Sequence, residues 1–275
     1  MPRVAAVAYS PDVTFPLDGK SLVIIGGTTG LGVSAARAFV KAGARVVAVG
    51  RNAESCEAAA AQLGDAARVL SADACDPHTA TRAIDEAVRS FGGFDGLYHV
   101  AGASGRPFGD GPLHEMTDDG WRATFDLNLT LLMFSNRAAV RQFLAQGRGG
   151  AILNMGSVIA WSPSPHYFAT HAYPTTKAAI IGFTKSIAAY YAPQGIRVNV
   201  LAPGLVETPM AQRAAEDEAI MRFIKTKQPL DGGRIGAPGD LDAAAVFFMS
   251  DAAKFCTGQV LAIDGGWCVS EGQYE

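Results

Sequence analysis

The stretch SLVIIGGTTGLG, Ser21 to Gly32, decides how the rest of the chain reads. A short apolar run ends in a cluster of glycines, and Ala-rich sequence of helical character follows. An uninterrupted apolar run of this length reads as a strand buried on both faces. Glycines between such a strand and a helix permit a tight turn and a close approach of backbone to a phosphate. The N–H groups and positive dipole end of the helix then attract that phosphate. A nucleoside-triphosphate loop would carry Gly-Lys-Ser/Thr here, and Gly32-Val33-Ser34 lacks the lysine. A dinucleotide is the expected ligand.

The same alternation continues outward from that stretch. Val/Ile/Leu-rich runs at 21–26, 44–50, 67–73, 94–102, 150–157, 195–204 and 258–266 alternate with helix-forming segments near 31–42, 53–63, 77–91, 117–146, 174–191 and 239–250. Apolar strands separated by helices predict an α/β fold, a Rossmann-type doubly wound seven-stranded parallel sheet with helices on both faces. Thr117 is placed to cap the 117–146 helix, with Asp118 and Asp119 in a first turn that favours negative charge. No Pro/Gly/Ser-rich linker divides the chain. Residues 18–275 therefore read as a single domain, and 1–17 as an N-terminal extension whose apolar run, 4–8, is too short for a signal segment. The stretch 204–238 breaks the alternation with Pro209, Pro229, Gly232, Gly233 and Gly236, so 205–235 reads as a lid over a binding site.

Composition bounds the function. Of 275 residues, 49% are hydrophobic and 18% charged, enough for one large domain with a sizeable core. A net charge of −3 and a pI near 6.0 supply no pull towards nucleic acid or an anionic membrane. No apolar run reaches the roughly 18 residues needed to span a bilayer. Cys56, Cys75, Cys256 and Cys268 show no metal-ligand spacing and no disulfide framework, which predicts reduced thiols, a cytoplasmic location and no metal site.

Chemistry enters with HAYPTTK, His171 to Lys177. Proline is tolerated in a first helical turn, so Pro174 sets Tyr173 near a helix start, with Lys177 four residues on along the same face. A phenol beside an ammonium group is a general acid/base candidate, although an isolated pair of this kind is also simply a surface tyrosine beside a solvated lysine. The end of the second strand, Val49-Gly50-Arg51-Asn52, carries no carboxylate for a ribose 2′-OH. Its arginine suits a 2′-phosphate, which favours NADP over NAD, or else it stacks on adenine or faces solvent.

Taken together, these features resemble the short-chain dehydrogenase/reductase family, in its single-domain branch. The resemblance spans about residues 18–267. It rests, in the family's order, on the glycine loop, Asp73, Ala101-Gly102, Asn128, Ser157, Tyr173-x-x-x-Lys177, Pro203-Gly204 and Thr257-Gly258-Gln259 with Asp264-Gly265-Gly266. It implies an NAD(P)-dependent oxidoreductase that interconverts a secondary alcohol and a ketone, acts on a small molecule and assembles as a homotetramer or homodimer. The helices 117–146 and 174–191 and the last strand would form the subunit contacts.

Residue by residue, the resemblance implies that Gly26, Gly30 and Gly32 shape the pyrophosphate turn, with Thr28, Thr29 and the Leu31 N–H near the cofactor. Arg51 and Asn52 would lie by the adenosine ribose, Asp73 and Ala74 by the adenine, and Ala101 and Gly102 beside the adenosine. Pro203, Gly204, Val206 and Thr208 would hold the nicotinamide carboxamide. The catalytic set would be Asn128, Ser157, Tyr173 and Lys177, Tyr173 and Lys177 also touching the cofactor. Ser157 would orient the substrate oxygen, and the helix of Asn128 would hold a water linked to Lys177. Helix dipole, ammonium and oxidised nicotinamide would all favour phenolate, so the Tyr173 pKa is expected to move from ~10 towards neutrality.

Ile25 and His99-Val100 depart from the family's usual Thr and Asn-Asn, predicting changed local packing; His99 reads as a satisfied strand-end histidine or as a proton relay. The loop 158–172, with Trp161, His166, Tyr167, Phe168 and His171, reads either as an aromatic pocket wall or as a structural flap. Enoyl reduction would set the lysine further from the tyrosine, and a dehalogenase variant would carry Arg at 177. A catalytically silent cofactor sensor would not need the tyrosine–lysine geometry.

Overall fold

The first strand, β1 (Ser21–Ile25), is buried along its whole length. It stands at the middle of the sheet: Ile24 faces Ala48 of β2 (Arg45–Gly50) on one side and Tyr98 of β4 (Gly96–His99) on the other. The remaining strands are β3 (Ala67–Ser71), β5 (Gly150–Met155), β6 (Ile196–Pro203) and β7 (Val260–Ile263). All pair in parallel, in the order β3-β2-β1-β4-β5-β6-β7. This computed structural model describes residues 15–274; of the extension expected over 1–17, residues 1–14 lie outside them.

Alternating side chains send the two faces of the sheet to different cores. Leu22 and Ile24 pack with Phe39, Phe248 and Met249, beneath α1 (Gly30–Lys41) and α9 (Asp242–Met249). Val23 and Ile25 pack with Ile84, Phe143 and Ala188, beneath α3 (Thr79–Phe91), α5 (Leu131–Ala145) and α6 (Ala172–Tyr191). The chain winds from β1 out to β3 by way of α1 and α2 (Ala53–Leu63), then returns to pair β4 against β1. Crossovers diverge at that switch point and open a crevice at the carboxyl ends of β1 and β4.

Several boundaries differ from expectation for local reasons. The strand expected over 94–102 stops at His99, because the Val100 and Ala101 N–H groups both turn to the Ile25 carbonyl, 2.9 Å each. The last strand shrinks to 260–263, flanked by Gly258, Gly265 and Gly266 at positive φ. The segment 239–250 begins as a 3₁₀ turn, Pro238–Leu241. The 117–146 helix is α4 (Asp118–Phe125) and α5 joined by a π turn, Asp126–Thr130. Thr117 caps it as read, accepting from the Gly120 N–H at 2.9 Å.

The stretch 205–235 carries two helices, α7 (Gln212–Ala215) and α8 (Glu218–Lys227). It packs Ile220, Phe223 and Ile224 against Val158 and Trp267. Gln228 ties its two ends together: the side-chain amide accepts from the Leu205 N–H at 2.6 Å and donates to the Leu205 carbonyl at 3.1 Å. Among the described residues no helix is long and apolar enough to cross a membrane, and no cluster of His, Cys, Asp and Glu could hold a metal.

A buried amide pair binds the site's supporting elements. Asn154 of β5 and Asn136 of α5 exchange hydrogen bonds at 2.9 and 3.0 Å, and Asn154 also donates to Thr184 of α6 at 3.0 Å. Asn154→Ala would strand these partners without water and should cost about 2–3 kcal/mol. Urea unfolding of the variant checks this; a loss below about 0.5 kcal/mol would refute the network's role.

Candidate active site

At the carboxyl edge of the sheet a cavity of about 530 Å³ runs from the glycine loop to the 205–235 segment. Every residue expected at the site lines it except Gly32, Asn52 and Asn128. The glycine end is shaped by the absence of side chains. Gly26 has φ +85°, and a Cβ there would sit 2.7 Å from the Ala101 nitrogen. A Cβ on Gly32 would land on the Gly26 carbonyl oxygen, so Gly32 supports the turn from below without facing the cavity. Thr29, the N-cap of α1, makes no side-chain cap bond, which leaves the helix N-terminus to a guest anion. This cradle fits the pyrophosphate of a dinucleotide.

Further along the edge, Arg51 stands exposed at the cavity rim. Asn52 is occupied elsewhere: its side chain caps α2, accepting from the Ser55 N–H at 2.8 Å. The Asp73 carboxylate accepts from the Cys75 N–H at 2.9 Å and frames the wall opposite.

Ser157, Tyr173 and Lys177 share the cavity's other end. Ser157 follows β5, and its hydroxyl accepts a long bond, 3.4 Å, from the Ile159 N–H. The Lys177 ammonium donates to the Met155 carbonyl at 3.1 Å and lies 5.4 Å from the centre of the Tyr173 ring. Asn128 sits in the π turn, where its amide N–H donates to the Thr124 and Ala103 carbonyls at 2.9 and 2.8 Å. That insertion is the physical cause of the break in the helix. Among the described residues its Oδ1 accepts nothing. A Cβ on Gly102 would meet this oxygen at 2.8 Å and the Lys177 nitrogen at 3.7 Å, so both face the same space.

Asp110 escaped the sequence reading. It is 4% exposed, and its carboxylate accepts from the N–H groups of His171 and Ala172 at 3.0 Å each and of Tyr173 at 2.9 Å. One side chain from the loop after β4 thus caps α6 and sets the start of the Tyr173 helix. A lone Asp in a glycine-rich loop gives no local sign of this; its partners lie 61 to 63 residues away.

His99 is fully buried between Ser135 Oγ, 2.7 Å from Nδ1, and the Ala101 carbonyl, 3.1 Å from Nε2. A proton on Nε2 donates to the carbonyl and leaves Nδ1 to accept from the serine hydroxyl, satisfying both nitrogens. Burial and, second, Lys177 push its pKa down to about 3, so it is a neutral tie across the strand end. The loop 158–172 divides: Phe168 and Thr170 line the cavity, whereas Trp161 is exposed and Tyr167 packs on Phe223 and Tyr274.

Burial pushes the Tyr173 hydroxyl up to about 12 and the Lys177 ammonium down to about 8. Desolvation disfavours the charged form of each group. The Asp110 carboxylate at the helix N-terminus also opposes the dipole's positive end.

A family model described as enoyl-(acyl carrier protein) reductase matches residues 26–268. The 3beta-hydroxysteroid dehydrogenase 2 of Eggerthella lenta is 34% identical over 254 residues, covering 91% of this chain and 95% of that protein. The D-threitol dehydrogenase of Mycolicibacterium smegmatis is 35% identical over 270 residues, covering 96% and 98%. A solved structure of a short-chain type dehydrogenase/reductase from Mycobacterium ulcerans superposes with a TM-score of 0.83 at 29% identity, covering 94% of this chain and 92% of that one.

The buried lysine makes a testable contribution to stability. Its pKa is lowered on folding, from 10.5 to about 8, so the unfolded state holds more protons between those values and stability rises with pH across that window. Lys177→Met removes the buried charge. It should be more stable than the parent by about 2 kcal/mol at pH 7, the gap closing towards pH ~10. Urea unfolding at several pH values measures it; a variant weaker at pH 7 would show that the ammonium is not destabilised by burial.

Proposed function

Since the chain belongs to the short-chain dehydrogenase/reductase family and is an NAD(P)-dependent oxidoreductase acting on CH–OH groups, we propose that it interconverts a secondary alcohol and a ketone through Ser157, Tyr173 and Lys177. The observation that carries this division of work is that the Tyr173–Lys177 pair and the glycine cradle open onto one continuous cavity. When bound, the nicotinamide supplies or accepts the hydride. In the reducing direction the Ser157 hydroxyl donates to the substrate carbonyl and holds it in line, and Tyr173, protonated by virtue of its burial, delivers the proton to that oxygen. Lys177 stabilises the phenolate left behind, and Asn128, whose Oδ1 faces the same space, anchors the route by which the proton is replaced. The wall of Ala101, Gly102, Pro203, Gly204, Val206 and Thr208 supports the cofactor's reactive ring, and the 205–235 segment closes over the substrate.

The family model's description names enoyl reduction. The spacing of Tyr173 and Lys177, one turn apart on α6, favours carbonyl chemistry instead. Among relatives, names such as hydroxysteroid, threitol and galactitol dehydrogenase agree with that choice. The intact serine, tyrosine and lysine at one cavity leave little support for a silent sensor. Tyr173→Phe should retain cofactor affinity within about twofold and lose more than about 10³-fold in kcat. Steady-state assays on ketones, with cofactor binding followed by fluorescence, measure both; substantial turnover would refute the assignment.

NADP is the preferred cofactor in this reading. No carboxylate ends β2, and Arg51 lies exposed at the rim where a 2′-phosphate would sit. Arg51→Ala should weaken NADP binding about tenfold or more and leave NAD within about twofold. Tighter binding of NAD than NADP by the parent protein would overturn the preference. Exposed Trp121 on α4, Tyr190 on α6 and Leu261 on β7 support a homotetramer or homodimer built on those elements. The unpaired thiols of Cys56, Cys75, Cys256 and Cys268 support a cytoplasmic location.

A further inference from the structure

The substrate end of the cavity carries two arginines that no carboxylate answers. Arg106 lies in the turn after β4 and Arg213 in α7, and both line the cavity that Ser157 and Tyr173 line. Among the described residues, neither Arg106 nor Arg213 has a carboxylate within ion-pair distance. Arg213 donates to the Tyr167 carbonyl at 3.3 Å, a contact that leaves its charge unbalanced.

Both side chains stand exposed at the mouth of the cavity, open to a ligand entering it. Burial pushes the Arg106 pKa down and the neighbouring Arg213 charge pushes it further, so the two cations repel. Asp110 acts in the opposite sense, but its carboxylate is engaged by three backbone N–H groups. The acidic residue lining the cavity, Asp73, follows β3 at the adenine side. Phe168, Met210 and Trp267 line the same cavity and supply apolar wall. In a chain of net charge −3 this cationic pair is a local feature. Guanidinium groups bind carboxylate and phosphate oxygens in pairs of parallel hydrogen bonds, and an oxyanion between two of them turns repulsion into attraction.

We infer that the substrate is an alcohol or ketone carrying an oxyanion, carboxylate or phosphate, on a largely apolar body, held by Arg106 and Arg213 while its reacting carbon faces Tyr173. The inference rests on the oxidoreductase reading of the same cavity. It makes the site a reader of charge at one end and of shape between.

Two measurements on the full chain with NADP test it separately from that reading. In the first, benzoate and phenyl phosphate are titrated calorimetrically into the parent protein, Arg106→Gln, Arg213→Gln and the double variant. The parent should bind one or both, the stronger probe naming the oxyanion, and the double variant should bind about tenfold or more weakly. In the second, 3-oxocyclohexanecarboxylate and its methyl ester are compared as substrates. The parent should prefer the acid, and each variant should lose about tenfold in kcat/KM for the acid while the ester changes less than about threefold. Equal turnover of acid and ester by the parent, or equal losses on both in the variants, would overturn the inference. Weakened NADP affinity in step with the anion probes would also overturn it, by assigning the arginines to the dinucleotide. Anion binding as expected, with no ketone reduced, would leave the anion site standing and sink the oxidoreductase reading instead.

Discussion

Three backbone N–H groups at the start of α6 end on a single buried carboxylate, Asp110, and the rest of the site is laid out from that contact. A buried helix N-terminus leaves N–H groups without partners, and each one unpaired carries a desolvation cost of about 1–3 kcal/mol. Asp110 answers three of them at once and thereby fixes where the helix begins. Tyr173 follows in the first turn, and Lys177 one turn later points back to the Met155 carbonyl at the end of β5. The loop after β4, the end of β5 and the start of α6 are joined in this way by hydrogen bonds that no one element supplies.

Asn128 shows the same principle on the facing helix. A π turn gives up the regular ladder, and the Asn128 amide takes over two carbonyls while leaving one oxygen on the side of Lys177. Gly102, where a side chain would strike that oxygen, keeps the space between them. The glycine loop applies the constraint again: Gly26 against Ala101, and Gly32 under the Gly26 carbonyl, leave no room for a side chain. The cavity is thus bounded by bare backbone at the glycine loop and by polar side chains around Lys177.

Charge follows the same division. One end of the cavity offers a helix N-terminus and Arg51 to an anion. The other offers Arg106, Arg213 and a buried ammonium, beside a phenol whose pKa burial raises. Putting a proton donor and a cation in low dielectric makes each charge change there costly alone and favourable when coupled to another.

Much of this was legible in the chain. The apolar runs and their glycine punctuation predicted seven parallel strands, and Thr117 was rightly read as a cap, because periodicity and capping are local properties of sequence. The break at Asn128 and the two helices inside 205–235 were not legible, since the first reflects side-chain insertion and the second packing against Val158 and Trp267. By itself the sequence determined the order of elements, the glycine turn and the four-residue step from Tyr173 to Lys177, all set by neighbours along the chain. Only the tertiary structure decided the burial of that pair, the capping by Asp110 and the placing of Arg106 and Arg213 on one cavity, because desolvation and Coulomb interactions are summed over groups that folding alone brings within reach.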